Sequence, residues 1–310
     1  MVVDSDADEE AYSSGPLDAR SSVRYLDVTG AGGSSHMEEL EIRRRLERYK
    51  FYHTIQLTDD LATPGTHGAD PSVVNALNAD LNGKRVLDVG CRDGLYSFMA
   101  ERRGAAEVIG IDNDLSKAAV EVLIPYFGSA VRMHEMNLYE LTAARFGTFD
   151  VLIFADVLYH LRYPFRAFQI LRELANPRAM LIVKTALFCG AEDLAMLYCP
   201  IGLESPYDPT SCTFFNRKGL TDSLSSLGWR TVSVSLSDPK TNRAGPETNQ
   251  PVIRGAVFVC EFTGHSGNEQ VDRYWHGTHE GSSRFAGDGK AARASGVFTW
   301  NPEPRPDPST

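Results

Sequence analysis

The chain has 310 residues, 42% of them hydrophobic, enough for one large α/β domain with appendages or for two small ones. Its formal net charge of -10 argues against broad gripping of a phosphate backbone, which calls for surplus Lys and Arg, although a local basic patch stays open. The five cysteines (Cys91, Cys189, Cys199, Cys212, Cys260) form no Cys-x-x-Cys pair. That spacing disfavours a zinc site or a disulfide framework and suits a reducing cytoplasm. No apolar run has the length of a membrane span, and the acidic N-terminus lacks a signal core.

Residues 1–35 are rich in Asp, Glu, Ser and Gly and read as a disordered acidic leader. Glu38 to Tyr52 reads as a charged helix, and Thr58 to Asp70, with Pro64, Gly65 and Gly68, as a loop. Together residues 36–80 are expected to form an N-terminal helical cap. From Lys84 a βαβα rhythm begins. Strands are expected at Arg85–Val89, Glu107–Ile111, Val131–Glu135, Phe149–Ala155 and Met180–Thr185. The intervening helices are Tyr96–Arg103, Leu115–Phe127, Leu138–Ala144 and Pro164–Leu174. This alternation predicts a parallel sheet with helices on both faces.

After Thr185 the rhythm breaks. Residues 187–214 carry Cys199-Pro200, Ser205-Pro206 and Asp208-Pro209 and form an insertion too long for an idle connector. A helix at Asn216–Leu227 follows. Strands Thr231–Leu236 and Ala256–Phe262, with a Pro/Gly/Asn-rich loop between them, suit an antiparallel pair closing the sheet. The domain is thus expected over 81–263. Residues 264–310 form a polar tail with scattered aromatics (Tyr274, Trp275, Phe285, Phe298, Trp300), flexible or packed on a partner.

The chemistry gathers at the carboxyl ends of these strands. The first strand runs into Asp88-Val89-Gly90-Cys91-Arg92-Asp93-Gly94, where glycine lets a backbone approach a ligand closely. A dinucleotide enzyme needs G-x-G-x-x-G to seat a pyrophosphate. Here the spacing is G-x-x-x-G after an acid, which suits a ligand with a cationic amino-acid end and no pyrophosphate. Asp112, closing the second strand, has the spacing of a carboxylate that binds ribose hydroxyls; the competing role is a helix cap, which Asp112 and Asp114 can divide. Asn137 and Leu138 fall where an adenine would be met by an amide and an apolar wall, with capping by Asn137 the alternative. Ala155 ends the fourth strand, and Asp156, Tyr159 and His160 converge just beyond it.

Together these residues resemble the class I S-adenosylmethionine-dependent methyltransferases over Lys84 to Phe262. The resemblance implies a Rossmann-like, seven-stranded, mostly parallel sheet with its last strand antiparallel. It also implies S-adenosyl-L-methionine as cofactor, held by Asp88, Gly90, Gly94, Asp112, Asn137, Leu138 and Ala155. Arg92 stands where many members have a third glycine, and its side chain is expected to line the methionine end.

A narrower resemblance joins Asp93-Gly94-Leu95-Tyr96-Ser97-Phe98, Val157–Pro164 and Tyr52-His53-Thr54-Ile55-Gln56-Leu57 to the branch that includes the tRNA wobble-uridine carboxymethyltransferases. It implies that Tyr52 and His53 lie near the ligand and that Tyr159 touches the cofactor's methyl end. That branch also holds small-molecule methyltransferases. The tRNA enzymes need basic groups for a carboxylated cofactor and for RNA, and this chain's one basic block, Arg43-Arg44-Arg45, reads as a solvated helix face.

The expected acceptor is therefore a small aromatic or largely apolar metabolite, with His160 or His53 as base for a hydroxyl and the 187–214 insertion as a lid. A tRNA-modifying enzyme and a non-catalytic cofactor-binding protein are the alternatives. A nicotinamide oxidoreductase is disfavoured by the glycine spacing. No metal, membrane or nucleic-acid partner is expected, and a homo-oligomer is compatible with the sequence.

Overall fold

The structure, a computed structural model, describes residues 36–238 and 252–272. The acidic leader, most of the Pro/Gly/Asn-rich loop and the aromatic-bearing tail lie outside the described residues. The chain divides into two compact units, one through Gly68 and one from Ala69 onward.

In the first unit, helix α1 (His36–Leu46) stops six residues short of the expected Tyr52. Its last turn tightens, with Arg48 N–H donating to the Arg45 carbonyl and Tyr49 N–H to that of Leu46. Tyr52 cannot join the helix because its carbonyl accepts the N–H groups of Thr66 and His67. Part of the expected loop is a small antiparallel hairpin, β1 (Gln56–Thr58) with β2 (Leu61–Ala62). Gly65 is obligatory beside it, because a Cβ there would stand 2.2 Å from the His53 backbone.

The second unit opens on α2 (Pro71–Ala76), capped by the Asp70 carboxylate on Ser72 N–H and started by Pro71 at its first position. Then come β3 (Arg85–Val89), α3 (Leu95–Arg102) and β4 (Glu107–Asp112). The helix expected over Leu115–Phe127 is replaced by a π-helical turn, Ala119–Leu123, that runs into α4 (Ile124–Phe127). Pro125 explains the change: it has no N–H, and its ring would strike the Glu121 carbonyl in a regular α-helix. After β5 (Arg132–Glu135), the expected Leu138–Ala144 helix is split into a 3-10 turn, Leu138–Glu140, and α5 (Ala143–Phe146).

Strand β6 (Phe149–Ala155) and helix α6 (Pro164–Glu173) follow. Strand β7 runs Ala175–Phe188, well beyond the expected six residues at both ends. Its extra start is held by side chains: Asn176 Nδ2 donates to Asp150 at 2.9 Å and Thr148 Oγ1 donates to Asn176 Oδ1 at 2.5 Å. The insertion contains β8 (Leu197–Tyr198) paired with β9 (Phe214–Phe215). Helix α7 (Arg217–Ser226), strands β10 (Trp229–Leu236) and β11 (Ile253–Phe262), and α8 (Glu269–Val271) complete the described chain.

Seven strands form one sheet in the order β10-β11-β7-β6-β3-β4-β5. All neighbours are parallel except β11, which runs antiparallel to both β7 and β10. This is the Rossmann-like, mostly parallel arrangement that the resemblance implied. The central strands are apolar on both faces (Leu87, Val89, Ile109, Leu152, Phe154 and Val183 are all buried), as a sheet covered by helices on each side requires. Strand β3 has β4 on one side and β6 on the other, so the chain reverses its direction of travel there. At such a switch point the crevice beyond the carboxyl ends is open to a ligand. No helix among the described residues is long and apolar enough to cross a membrane.

Candidate active site

The β3–α3 loop is built by its glycines. Gly90 has φ +78° and Gly94 φ +85°, conformations that side-chain-bearing residues adopt only with strain. Gly90 also has no room: a Cβ would lie 2.2 Å from Val157 Cγ2, just past β6. The N–H groups of Gly90 and Cys91 both donate to the Ile111 carbonyl, at 2.8 and 3.0 Å. Arg92 N–H donates to Asp112 at 2.9 Å, and Gly94 N–H to the Cys91 carbonyl at 2.7 Å. Four amides of the loop are thus taken up within the protein itself, which fixes its backbone.

Asp88 lies beneath the loop, 1% exposed, and accepts the Ser97 hydroxyl at 2.6 Å, so it joins β3 to α3 from behind. Burial raises the Cys91 thiol well above its ordinary value, and the nearby Asp88 and Asp112 carboxylates add to the effect. Cys91 is 2% exposed and packs beneath the loop.

Asp112 closes β4 at the same edge. Its Oδ1 accepts Asp114 N–H at 2.8 Å and its Oδ2 accepts Arg92 N–H at 2.9 Å. Each oxygen keeps a further lone pair, so the group can accept two vicinal hydroxyls. Burial pushes this carboxyl up, and the amide bonds from Asp114 and Arg92 and the Arg92 charge offset only part of the shift. A half-buried carboxylate with unused acceptor capacity fits an adenosine ribose. Asp114 does not cap the following helix; Ala119 N–H is met by Ser116 Oγ instead.

Arg92 sits at φ +45°, strained for a residue with a Cβ. Its guanidinium forms an ion pair with Asp114 and donates to that residue's carbonyl at 2.7 Å. The side chain thus folds toward Asp114, two residues beyond Asp112. Asn137 Oδ1 accepts Tyr139 N–H at 2.9 Å, which is the capping geometry. Leu138 is 7% exposed and belongs to the main apolar core.

Ala155, the last residue of β6, is buried, and Asp156 just beyond it, at φ +60°, is ion-paired with Lys184 of β7, a partner the sequence reading missed. Tyr159 is buried, its ring centroid 4.5 Å from that of His160 and 5.1 Å from that of Tyr207 in the insertion. The insertion is fastened here: Cys212 and Thr213 N–H both donate to the Tyr159 carbonyl, at 2.8 and 3.1 Å, and Thr213 Oγ1 donates to that of Leu161. Its other limb is clipped by Asn216, whose Nδ2 donates to the Ala191 and Leu194 carbonyls at 2.9 and 2.7 Å.

His160 Nδ1 lies 3.1 Å from Thr210 Oγ1, which lies 2.5 Å from Asp208 Oδ1. Neither Asp208 nor Thr210 was singled out by the sequence. Asp-Pro-Thr-Ser carries the signal of an Asx turn, but nothing local points to a histidine 50 positions upstream.

Tyr52 and His53 belong to the first unit. There the Tyr52 ring stacks on His67, with centroids 4.1 Å apart and planes 8° apart, and His53 pairs with His67 in an isolated bridge. Among the described residues no group of three or more His, Cys, Asp or Glu side chains is arranged to hold a metal ion.

Fold and site together define a class I, Rossmann-like S-adenosylmethionine-dependent methyltransferase domain. The family model of a methyltransferase domain matches residues 67–234, more than half of the chain, and the protein belongs to that family. Its cofactor is S-adenosylmethionine. Among curated relatives, the chain is 27% identical over 171 residues to a tRNA U34 carboxymethyltransferase of Helicobacter pylori (strain G27), covering 53% of this chain and 64% of that protein. It is 27% identical over 206 residues to one of Methylococcus capsulatus, covering 59% and 63% respectively. The chain thus spans slightly under two thirds of the length of these relatives. Among solved structures, the N-terminal domain of EvdMO1 with SAH bound is similar in fold (TM-score 0.56, 17% identity), over 74% of this chain and 99% of that one.

Proposed function

We propose that this protein transfers the methyl group of S-adenosylmethionine to a small, aromatic or largely apolar metabolite, as in natural-product biosynthesis. The observation that carries the reading is the pairing of Tyr207, from the insertion, with Tyr159 beside His160. Aromatic walls next to one basic nitrogen suit a flat acceptor bearing a hydroxyl. Bound S-adenosylmethionine supplies an electrophilic methyl carbon. The protein's part is then to hold the acceptor close and collinear and to take its proton. Asp112 and the Gly90–Gly94 loop hold the adenosine side, Ala155 and Tyr159 border the reacting end, and the insertion brings Tyr207 beside it. Roles for Asn137, Leu138, Tyr52 and His53 toward the ligands rest on the family resemblance alone. The cytoplasmic setting expected from five free thiols belongs to the same proposal.

A second reading, tRNA modification, is favoured by the names of the curated relatives. The net charge of -10 weighs against it. One incubation separates the two. Protein is mixed with methyl-labelled S-adenosylmethionine and with either the metabolite or the RNA fraction of host extract. Label in a low-molecular-weight product supports the first reading. Label only in RNA overturns it.

A further inference from the structure

The contacts of Thr210 fix more than the place of the His160 ring. A threonine hydroxyl has one proton and can accept as well as donate. The Thr210 oxygen is 2.5 Å from Asp208 Oδ1 and 3.1 Å from His160 Nδ1. Asp208 also accepts Thr210 N–H at 2.8 Å and the Ser211 hydroxyl. Burial pushes its carboxyl up, but the bonds from Ser211 and Thr210 and the neighbouring His160 outweigh this and hold it below the ordinary carboxyl range. An ionised carboxylate can only accept, so the Thr210 proton points to Asp208. The Thr210 oxygen is left to accept, and the atom facing it is His160 Nδ1.

We propose that Asp208 and Thr210 are positioning residues that hold neutral His160 as the Nδ1–H tautomer, so that Nε2 is the basic nitrogen offered to the acceptor. The inference rests on the methyltransferase reading above for its use, though not for its geometry. In the reaction it serves, the acceptor oxygen forms a bond to the methyl carbon as the carbon–sulfur bond breaks and its electron pair stays on sulfur. The hydroxyl proton passes to His160 Nε2 and from there to water. A histidine whose proton sat on Nε2 would present a donor at that point and could not accept it. The relay is anchored to the turn that bears the histidine, because Cys212 and Thr213 bond the Tyr159 carbonyl. The docked insertion therefore supplies the contacts that set the tautomer.

The test is nitrogen-15 NMR of histidine-labelled protein at a pH where the imidazole is neutral, with the His160 signals assigned by their loss in His160→Gln. In the wild type, the unprotonated nitrogen is expected to be the one coupled to both ring carbon-bound protons, Nε2. Thr210→Val, nearly the same in shape, and Asp208→Ala should move the population toward Nε2–H. Thr210→Ser should restore the wild-type pattern. A wild-type Nε2–H tautomer, or a pattern unchanged in Thr210→Val, overturns the inference. With the acceptor found by labelled transfer, Thr210→Val should lower kcat about tenfold or more with KM little changed; an unchanged kcat also overturns it. If no acceptor is methylated, the proposed function fails while the spectra still decide the tautomer.

Discussion

Substituting Gly90 by alanine tests whether the cofactor loop holds the conformation described. Two costs apply. A Cβ at φ +78° carries about 1–2 kcal/mol of backbone strain. The same Cβ would lie 2.2 Å from Val157 Cγ2. Val157 is β-branched, with few χ1 rotamers to move to, and overpacking of this kind costs about 1–3 kcal/mol. The lower conformational entropy of unfolded alanine returns about 0.4–1 kcal/mol. The net expectation is a loss of about 2–4 kcal/mol in chemical denaturation.

Arg92→Gly is the matched control. It relieves about 1–2 kcal/mol of strain at φ +45° and loses a largely exposed ion pair with Asp114 worth at most about 1 kcal/mol. Its stability should stay within about 1 kcal/mol of wild type. A Gly90→Ala protein as stable as the wild type would refute the described loop. So would an Arg92→Gly protein more damaged than Gly90→Ala.

Two further outcomes follow from the insertion. Asn216 is fully buried, caps α7 through Gly219 N–H at 2.7 Å and bonds the 191–194 carbonyls, so Asn216→Ala should cost about 2–4 kcal/mol and open the 190–196 segment to limited proteolysis. Asp208 holds its proton less tightly folded than unfolded. Its contribution should be complete above the ordinary value of 3.8 and be lost as pH falls through the lower folded value; in Asp208→Ala, followed by thermal unfolding against pH, that part of the acid slope should vanish.

The sheet was legible in the sequence because its central strands are short β-branched runs buried on both faces, and nothing distant is needed to make them strands. The turn at Gly90–Gly94 and the place of Asp112 at a strand end were legible for a related reason: backbone conformation and spacing along a βαβ unit are local properties. The misread parts depend on distant partners. The first half of β7 contains Pro177 and looks like a turn, but Asn176 is tied to Asp150 and Thr148. The break at Pro125 did carry a local signal, proline within a helical stretch, which the periodicity of the flanking residues obscured. The Asp208–Thr210–His160 chain exists only because the insertion docks on the turn after β6.

We propose that Asp112 holds an adenosine-bearing ligand at the carboxyl ends of β3 and β4. Calorimetric titration of wild-type and Asp112→Ala protein with S-adenosylhomocysteine tests it most directly. Hydrogen bonds to a charged group contribute about 1.5–3 kcal/mol each, so the wild type should bind and the variant should bind about 10- to 150-fold more weakly while remaining folded. No binding by the wild type, or equal affinity in a folded Asp112→Ala protein, would contradict the account.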